Sequence, residues 1–247
     1  MKMNLKHAVS SLLAAAAVAL AGGCATDKSQ AESRPQGVSD KSWTETLTPI
    51  DEPCSATGRN RYFILEPGYQ LVLEGKEGGK TVNLTITVLD ETKRVAGVEA
   101  RVLEERESAD GKLVEVSRNY LAFGTQSRNV YYFGEDVDEY KGGQVTHGGA
   151  WLAGVNDAKC GILMPGNLKI GARYYQEKAP KVAMDRAENI SVSETFTAPA
   201  GTFNNCLKVK ETTPLEPDDV EYKHYAPEVG LIQDGALRLV KYGFVNK

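Results

Sequence analysis

The chain has 247 residues, with 29 Lys and Arg against 33 Asp and Glu, a formal charge of −4. A mildly acidic chain without a basic cluster lacks the footprint of a nucleic-acid binder and has no polybasic grip on anionic lipid. Its four cysteines form no C-x-x-C and no C-x-x-C-H, which removes dithiol redox motifs, zinc ribbons and c-type haem from consideration.

The first 24 residues, MKMNLKHAVSSLLAAAAVALAGGC, have the layout of an export signal. Lys2 and Lys6 supply the positive start and Ala8 to Ala21 the apolar stretch, which falls short of the roughly 20 residues a spanning helix needs. Ala21-Gly22-Gly23-Cys24 resembles the bacterial lipobox, with leucine (Leu20) one place early. The resemblance implies that Cys24 is acylated and becomes the mature N-terminus. Acyl chains contribute about 0.8 kcal/mol per buried methylene, so a multiply acylated cysteine holds a soluble domain at a membrane. Ala25 and Thr26 follow instead of aspartate. By analogy with lipoprotein sorting, this directs the protein to the outer membrane of a diderm bacterium, on its periplasmic or surface face.

Residues 1–23 are therefore expected to be a signal peptide and 24–58 the lipidated cysteine with a flexible tether. That segment is polar, and its unfolded part reaches on the order of 100 Å. Residues 59–247 are expected to form a single β domain. Cys54, Cys160 and Cys206 lie far apart, and an oxidising compartment allows one disulfide among them, with the pairing open.

From Arg59 onward the pattern alternates. In KTVNLTITVLD, Val82, Leu84, Ile86 and Val88 fall on one face and Thr81, Asn83, Thr85 and Thr87 on the other, the pattern of a half-buried antiparallel strand. YQLVLEG, VEARVLEERE, KLVEVSRNYLAFG and NVYYFGE read similarly, as do later runs from ARYYQEK to ALRLVKYGF. Gly78-Gly79, Ala96-Gly97, Asp110-Gly111 and Gly142-Gly143 supply hairpin turns. The fold expected is mainly β, a meander of antiparallel strands. Gly148 to Gly171 is Gly-rich without alternation and reads as a long covering loop or short helix, either functional or simply capping the core.

Candidate site residues cluster before and after the Gly142-Gly143 turn: Glu135, Asp136, Asp138, His147 and Trp151. As a calcium loop starting at Asp136 the run fails, because Tyr140 and Lys141 stand where Asp/Asn and Gly belong and His147 replaces the closing Glu. Three readings remain for these acids: a solvated hairpin tip, a cation or polar-ligand site, or catalytic carboxylates working with His147. His224, alternating with Tyr222, reads as a packing residue. No metal or cofactor motif is present, and no G-x-S-x-G, H-E-x-x-H or dinucleotide fingerprint occurs.

Two blocks carry a resemblance. TAPAGTFNNCLKVKETT with YKHYAPEVGLIQ is similar to the closing strands of LolA-like and TapB-like bacterial envelope proteins, with Glu228 where Gly is common. NVYYFGEDVDEYKGG through GAWLAGVNDAKCGILMP resembles an uncharacterised family of secreted bacterial proteins and lipoproteins, with Cys160 at a usual proline. The resemblance implies an open half-barrel, a curved antiparallel sheet around a loop or helix, of a kind that often holds a lipid or acyl chain. The function expected is that of a lipid-anchored, non-catalytic envelope domain binding an apolar or amphipathic ligand or an envelope partner. The rivals are a hydrolase or metal-dependent enzyme using the acidic/His cluster, and an assembly scaffold.

Overall fold

The structure, a computed structural model, describes residues 43–245. The export signal and Cys24 lie outside the described residues. A strap from Trp43 leads into β1 (Cys54–Ser55) and a small hairpin of β2 (Gly58–Asn60) and β3 (Phe63–Leu65). The meander follows as β4 (Tyr69–Glu77), β5 (Lys80–Val95), β6 (Val98–Ala109), β7 (Lys112–Gly124) and β8 (Val130–Lys141). Shorter pieces come next: β9 (Gln144–His147), β10 (Trp151–Leu152), β11 (Lys159–Met164), β12 (Arg173–Tyr175) and β13 (Glu177–Lys178). The chain ends in β14 (Arg186–Ala198), β15 (Gly201–Thr212), β16 (Val220–Ala226), β17 (Gly230–Asp234) and β18 (Leu237–Phe244).

Alternation and turn chemistry explain the meander. Val82, Leu84, Ile86 and Val88 are all buried, as the period of two requires. Ala96-Gly97 and Asp110-Gly111 turn with φ of 48°/83° and 49°/75°, the positive pair that tight hairpins demand. All sheet pairings are antiparallel, in the order β12-β14-β15-β16-β17-β18-β4-β5-β6-β7-β8-β11-β13, with β1 added to β7 and β9 and β10 to β8. The two ends of that order, β12 and β13, are separated in the chain by Gln176 alone. One short segment thus meets both edges, and the curved sheet nearly closes into a barrel. At this seam Gly161 of β11 lies so close to the passing chain that an added Cβ would stand 2.2 Å from the Gln176 carbonyl oxygen.

Here the fold departs from the expected lid. Residues 148–171 do not cross the sheet but enter it: Trp151 pairs with Glu135 and Gly161 with Tyr132. Among the described residues there is no helix. The β2–β3 hairpin fills the interior instead. Tyr62, Ile64 and Leu65 are buried, Tyr62 Oη donates to the Asn205 carbonyl at 2.8 Å, and Asn60 Nδ2 donates to Arg128 and Pro165 carbonyls at 3.0 and 2.9 Å. Leu73, Leu121, Leu207, Leu237 and Leu239 are 0 % exposed; truncating any one to alanine costs about 2–5 kcal/mol.

The last part of the segment assigned to the tether is docked. Trp43 meets Tyr175 edge-on at 6.0 Å, with the Arg186 guanidinium 4.6 Å from its ring. Lys178 Nζ reaches Glu45 at 2.6 Å, and the Thr46 and Leu47 amides donate to the Arg173 carbonyl. Glu52 accepts from the Gln126 and Ser127 amides at 2.8 and 2.9 Å, from Tyr131 Oη at 2.6 Å and from Ser127 Oγ. Burial opposes its charge, but these donors outweigh burial and lower its pKa to about 2. Glu52→Ala is expected to lose about 1–2 kcal/mol and to speed hydrogen exchange across residues 43–57. Unchanged exchange there would show that Glu52 does not hold the strap.

Candidate functional site

The five residues picked from sequence are split by a β-bulge. The β7–β8 register shifts between Tyr120↔Gly134 and Leu121↔Tyr132, which leaves Phe133 as the extra residue. Strict alternation would set Glu135 with Tyr131 and Phe133; the bulge turns it inward with Tyr132. Tyr132 Oη donates to Asn119 Oδ1 at 2.6 Å and lies 3.0 Å from Glu135 Oε2. Trp151, opposite Glu135 on β10, packs edge-on against Tyr132 at 5.1 Å. Burial among other carboxyls holds Glu135 protonated, its pKa well above the usual range despite the Tyr132 contact.

Asp136 faces outward. Lys93 Nζ lies 3.0 Å from its carboxylate and Tyr120 Oη donates to it. Partial burial works against its charge, but these two donors win and lower its pKa. Asp138 contacts Arg118 at 3.5 Å and His147 Nδ1 at 2.6 Å. The His147 side chain is 77 % exposed. Asp138 and His147 are thus paired on an open hairpin, while Asp136 is engaged elsewhere; the three do not converge in a cleft. Between Asp136, Trp151, Val155 and Val182 lies a recess of about 220 Å³, and neither Asp138 nor His147 lines it. Among the described residues no group of three or more His, Cys, Asp or Glu is arranged to hold a metal ion, and Cys54, Cys160 and Cys206 are free thiols.

His224 has a structural position. Glu194 Oε2 lies 2.9 Å from its Nε2, and Phe196 stacks on its ring at 4.7 Å. With the Ala200 amide bound to the Leu239 carbonyl at 3.0 Å, these contacts fold the long β14–β15 hairpin onto the barrel wall.

The interior holds a second constellation. Leu103, Glu105 and Glu107 share one parity on β6, Val209 and Glu211 on β15, and Lys223 and Tyr225 on β16, while on β17 a register shift at Ile232 sets Leu231 and Asp234 on the inward face. Because neighbouring strands run antiparallel, these rows are apolar toward one end of the barrel and charged toward the other. The result is a cavity of about 60 Å³ whose apolar wall includes Ile64, Leu71, Ile86 and Leu231 and whose polar wall includes Glu105, Gln176, Glu211, Lys223 and Asp234. Lys223 Nζ sits 3.0 Å from Glu211 and 3.5 Å from Asp234, and Gln176 Nε2 donates to Glu211 at 3.0 Å. Burial pushes Asp234 and Glu105 up to about 7, against the pull of Lys223. Burial also opposes the charge of Lys223 itself, but Asp234 and Glu211 outweigh it and keep the ammonium charged.

These acids escaped the sequence reading, although parity was the signal that could have found them: each continues an apolar row on its strand. A comparison of the chain with known proteins found no matching family model, no matching curated protein and no matching solved structure.

Proposed function

We propose that this chain is an exported protein held in the cell envelope by acylation of Cys24, and that its barrel binds a small amphipathic ligand without turning it over. The observation that carries this reading is the two-sided cavity, aliphatic on one wall and carboxyl-lined on the other. Such a lining suits a ligand with one apolar and one polar end. A volume near 60 Å³ leaves room for a handful of waters or a short aliphatic group. It does not admit the acyl chain that the LolA-like resemblance implies. Catalysis by Asp136, Asp138 and His147 finds no support in their separation. In a diderm host, Ala25 and Thr26 favour the outer membrane.

Native mass spectrometry of the full chain extracted from membranes in mild detergent tests this reading. The expected spectrum shows a chain starting at an acylated Cys24, plus a small adduct lost on collisional activation. An unacylated chain starting elsewhere, or a stoichiometric phospholipid or fatty-acid adduct, would count against it.

A further inference from the structure

The polar wall of the cavity is unevenly charged. Three carboxyls line it, Glu105, Glu211 and Asp234, against one ammonium, Lys223. Glu211 is already satisfied on both oxygens, by Lys223 at 3.0 Å and by Gln176 Nε2 at 3.0 Å. The second amide atom of Gln176 is not: Oε1 is buried and has no hydrogen-bond partner, in a side chain only 2 % exposed that borders the cavity. Turning the amide over would set this oxygen against Glu211 Oε1, so the donor interaction fixes Oε1 as the free acceptor. A buried carbonyl without a donor is destabilising. In a cavity that Glu105 and Asp234 also line, it calls for a group that brings several N–H donors and a positive charge.

From this we infer that the cavity takes a primary alkylammonium group, its N–H donors directed to Gln176 Oε1, Glu105 and Asp234 and its carbon chain along Leu71, Ile86 and Leu231. The inference rests on reading the cavity as a small-ligand site and names the ligand class for it. An ammonium supplies three donors and no acceptor, matching an acceptor-rich wall. An alcohol supplies one donor, and a carboxylate would face two acids. Lys223 shows in the same place that this wall holds an ammonium stably. Water in the cavity could satisfy Gln176 Oε1 but would leave the surplus of acids uncompensated.

Isothermal titration of the full chain in detergent at pH 8, above the value of about 7 to which burial raises Glu105 and Asp234, with each run corrected against a detergent blank, compares three probes: n-butylammonium, n-butanol and n-butyrate. The inference expects saturable one-to-one binding of n-butylammonium, at least tenfold tighter than n-butanol, and none of n-butyrate. Glu105→Gln, which keeps the shape of the side chain and replaces an acid with a neutral amide, is expected to weaken n-butylammonium about tenfold and leave n-butanol unchanged. Asp234→Asn, checked for native circular dichroism, should do the same. If n-butanol or n-butyrate binds as well as the amine, or Glu105→Gln does not alter amine binding, the ammonium assignment fails and the small-ligand reading stands. If none of the three binds, and membrane-extracted protein carries no small adduct, both fail.

Discussion

Gly161→Ala is expected to open the barrel at its seam and to be among the most damaging single-methyl additions to this protein. Its Cβ would lie 2.2 Å from the Gln176 carbonyl oxygen and 2.5 Å from that of Tyr175. Both obstacles are backbone atoms, which cannot swing away as a side-chain tip can. Either β11 moves off the segment that links β12 and β13, or the pairing Cys160↔Glu177 breaks. Overpacking of this kind costs typically about 1–3 kcal/mol, and more where the neighbour is backbone. A loss of about 3 kcal/mol or more is expected in urea unfolding, with faster hydrogen exchange in residues 159–164 and 173–178. Gly97→Ala is the control. Its φ of +83° makes alanine strained, but nothing lies within 4 Å of the added carbon, so it should lose only about 1 kcal/mol. Equal losses at the two sites would mean that the seam is not tightly closed.

The second large effect is an inverted dependence of stability on pH. Burial raises Glu105, Glu107, Glu221, Asp185 and Asp234 to about 7, and Glu135 and Glu177 well above the usual carboxylate range. These groups hold protons more tightly folded than unfolded. Their contribution is therefore complete below the unfolded value, near pH 4, and is lost as pH climbs through 7. One fully buried acid such as Asp234, raised from 3.8 to about 7, accounts for about 4 kcal/mol, on the order of 10 °C in thermal midpoint for a domain of this size. Glu52 works in the opposite sense. Its carboxyl, lowered to about 2, contributes above pH 4.5 and loses that contribution as pH falls toward 2. Thermal midpoints measured from pH 3 to 8 should peak near pH 4–5 and fall toward pH 8. Glu135→Gln, a neutral replacement for an acid kept protonated, should raise the midpoint at pH 8 more than at pH 5. A midpoint that rises steadily from pH 5 to 8 would show that these acids are ionised and solvated in the folded protein.

The part of the fold legible in sequence is the part set by neighbours along the chain. Val82 to Val88 announce a half-buried strand because each residue needs only its own parity, and Ala96-Gly97 and Asp110-Gly111 announce reversals because positive φ is a local property. The seam is different in kind. Gly161 matters for what passes it fifteen positions later, and a glycine in a Gly-rich stretch looks like loop. Trp43 and Glu52 sit in a polar run that reads as tether, in which a lone Trp is a weak sign of docking; their partners, Arg186, Tyr175, Ser127 and Tyr131, are distant in sequence. Glu135 was chosen for the acids around it, yet a single bulge at Phe133 gives it a different face and a different chemistry from Asp136. The interior acids were the nearest miss. Glu105 and Glu107 follow Leu103 on one face, but charge at the end of an apolar row ordinarily marks a strand leaving the core. Only the closed sheet, which puts four such ends at one level, makes them a buried group.

A crystal structure of the protein purified from membranes, with no ligand added, tests the account most directly. Compact density is expected in the cavity, no longer than a short alkylamine or a few waters, touching Gln176 Oε1 and bounded by Phe63 and Ile64. Continuous density of an acyl chain through the barrel, with the hairpin of residues 58–65 displaced from the interior, would contradict it.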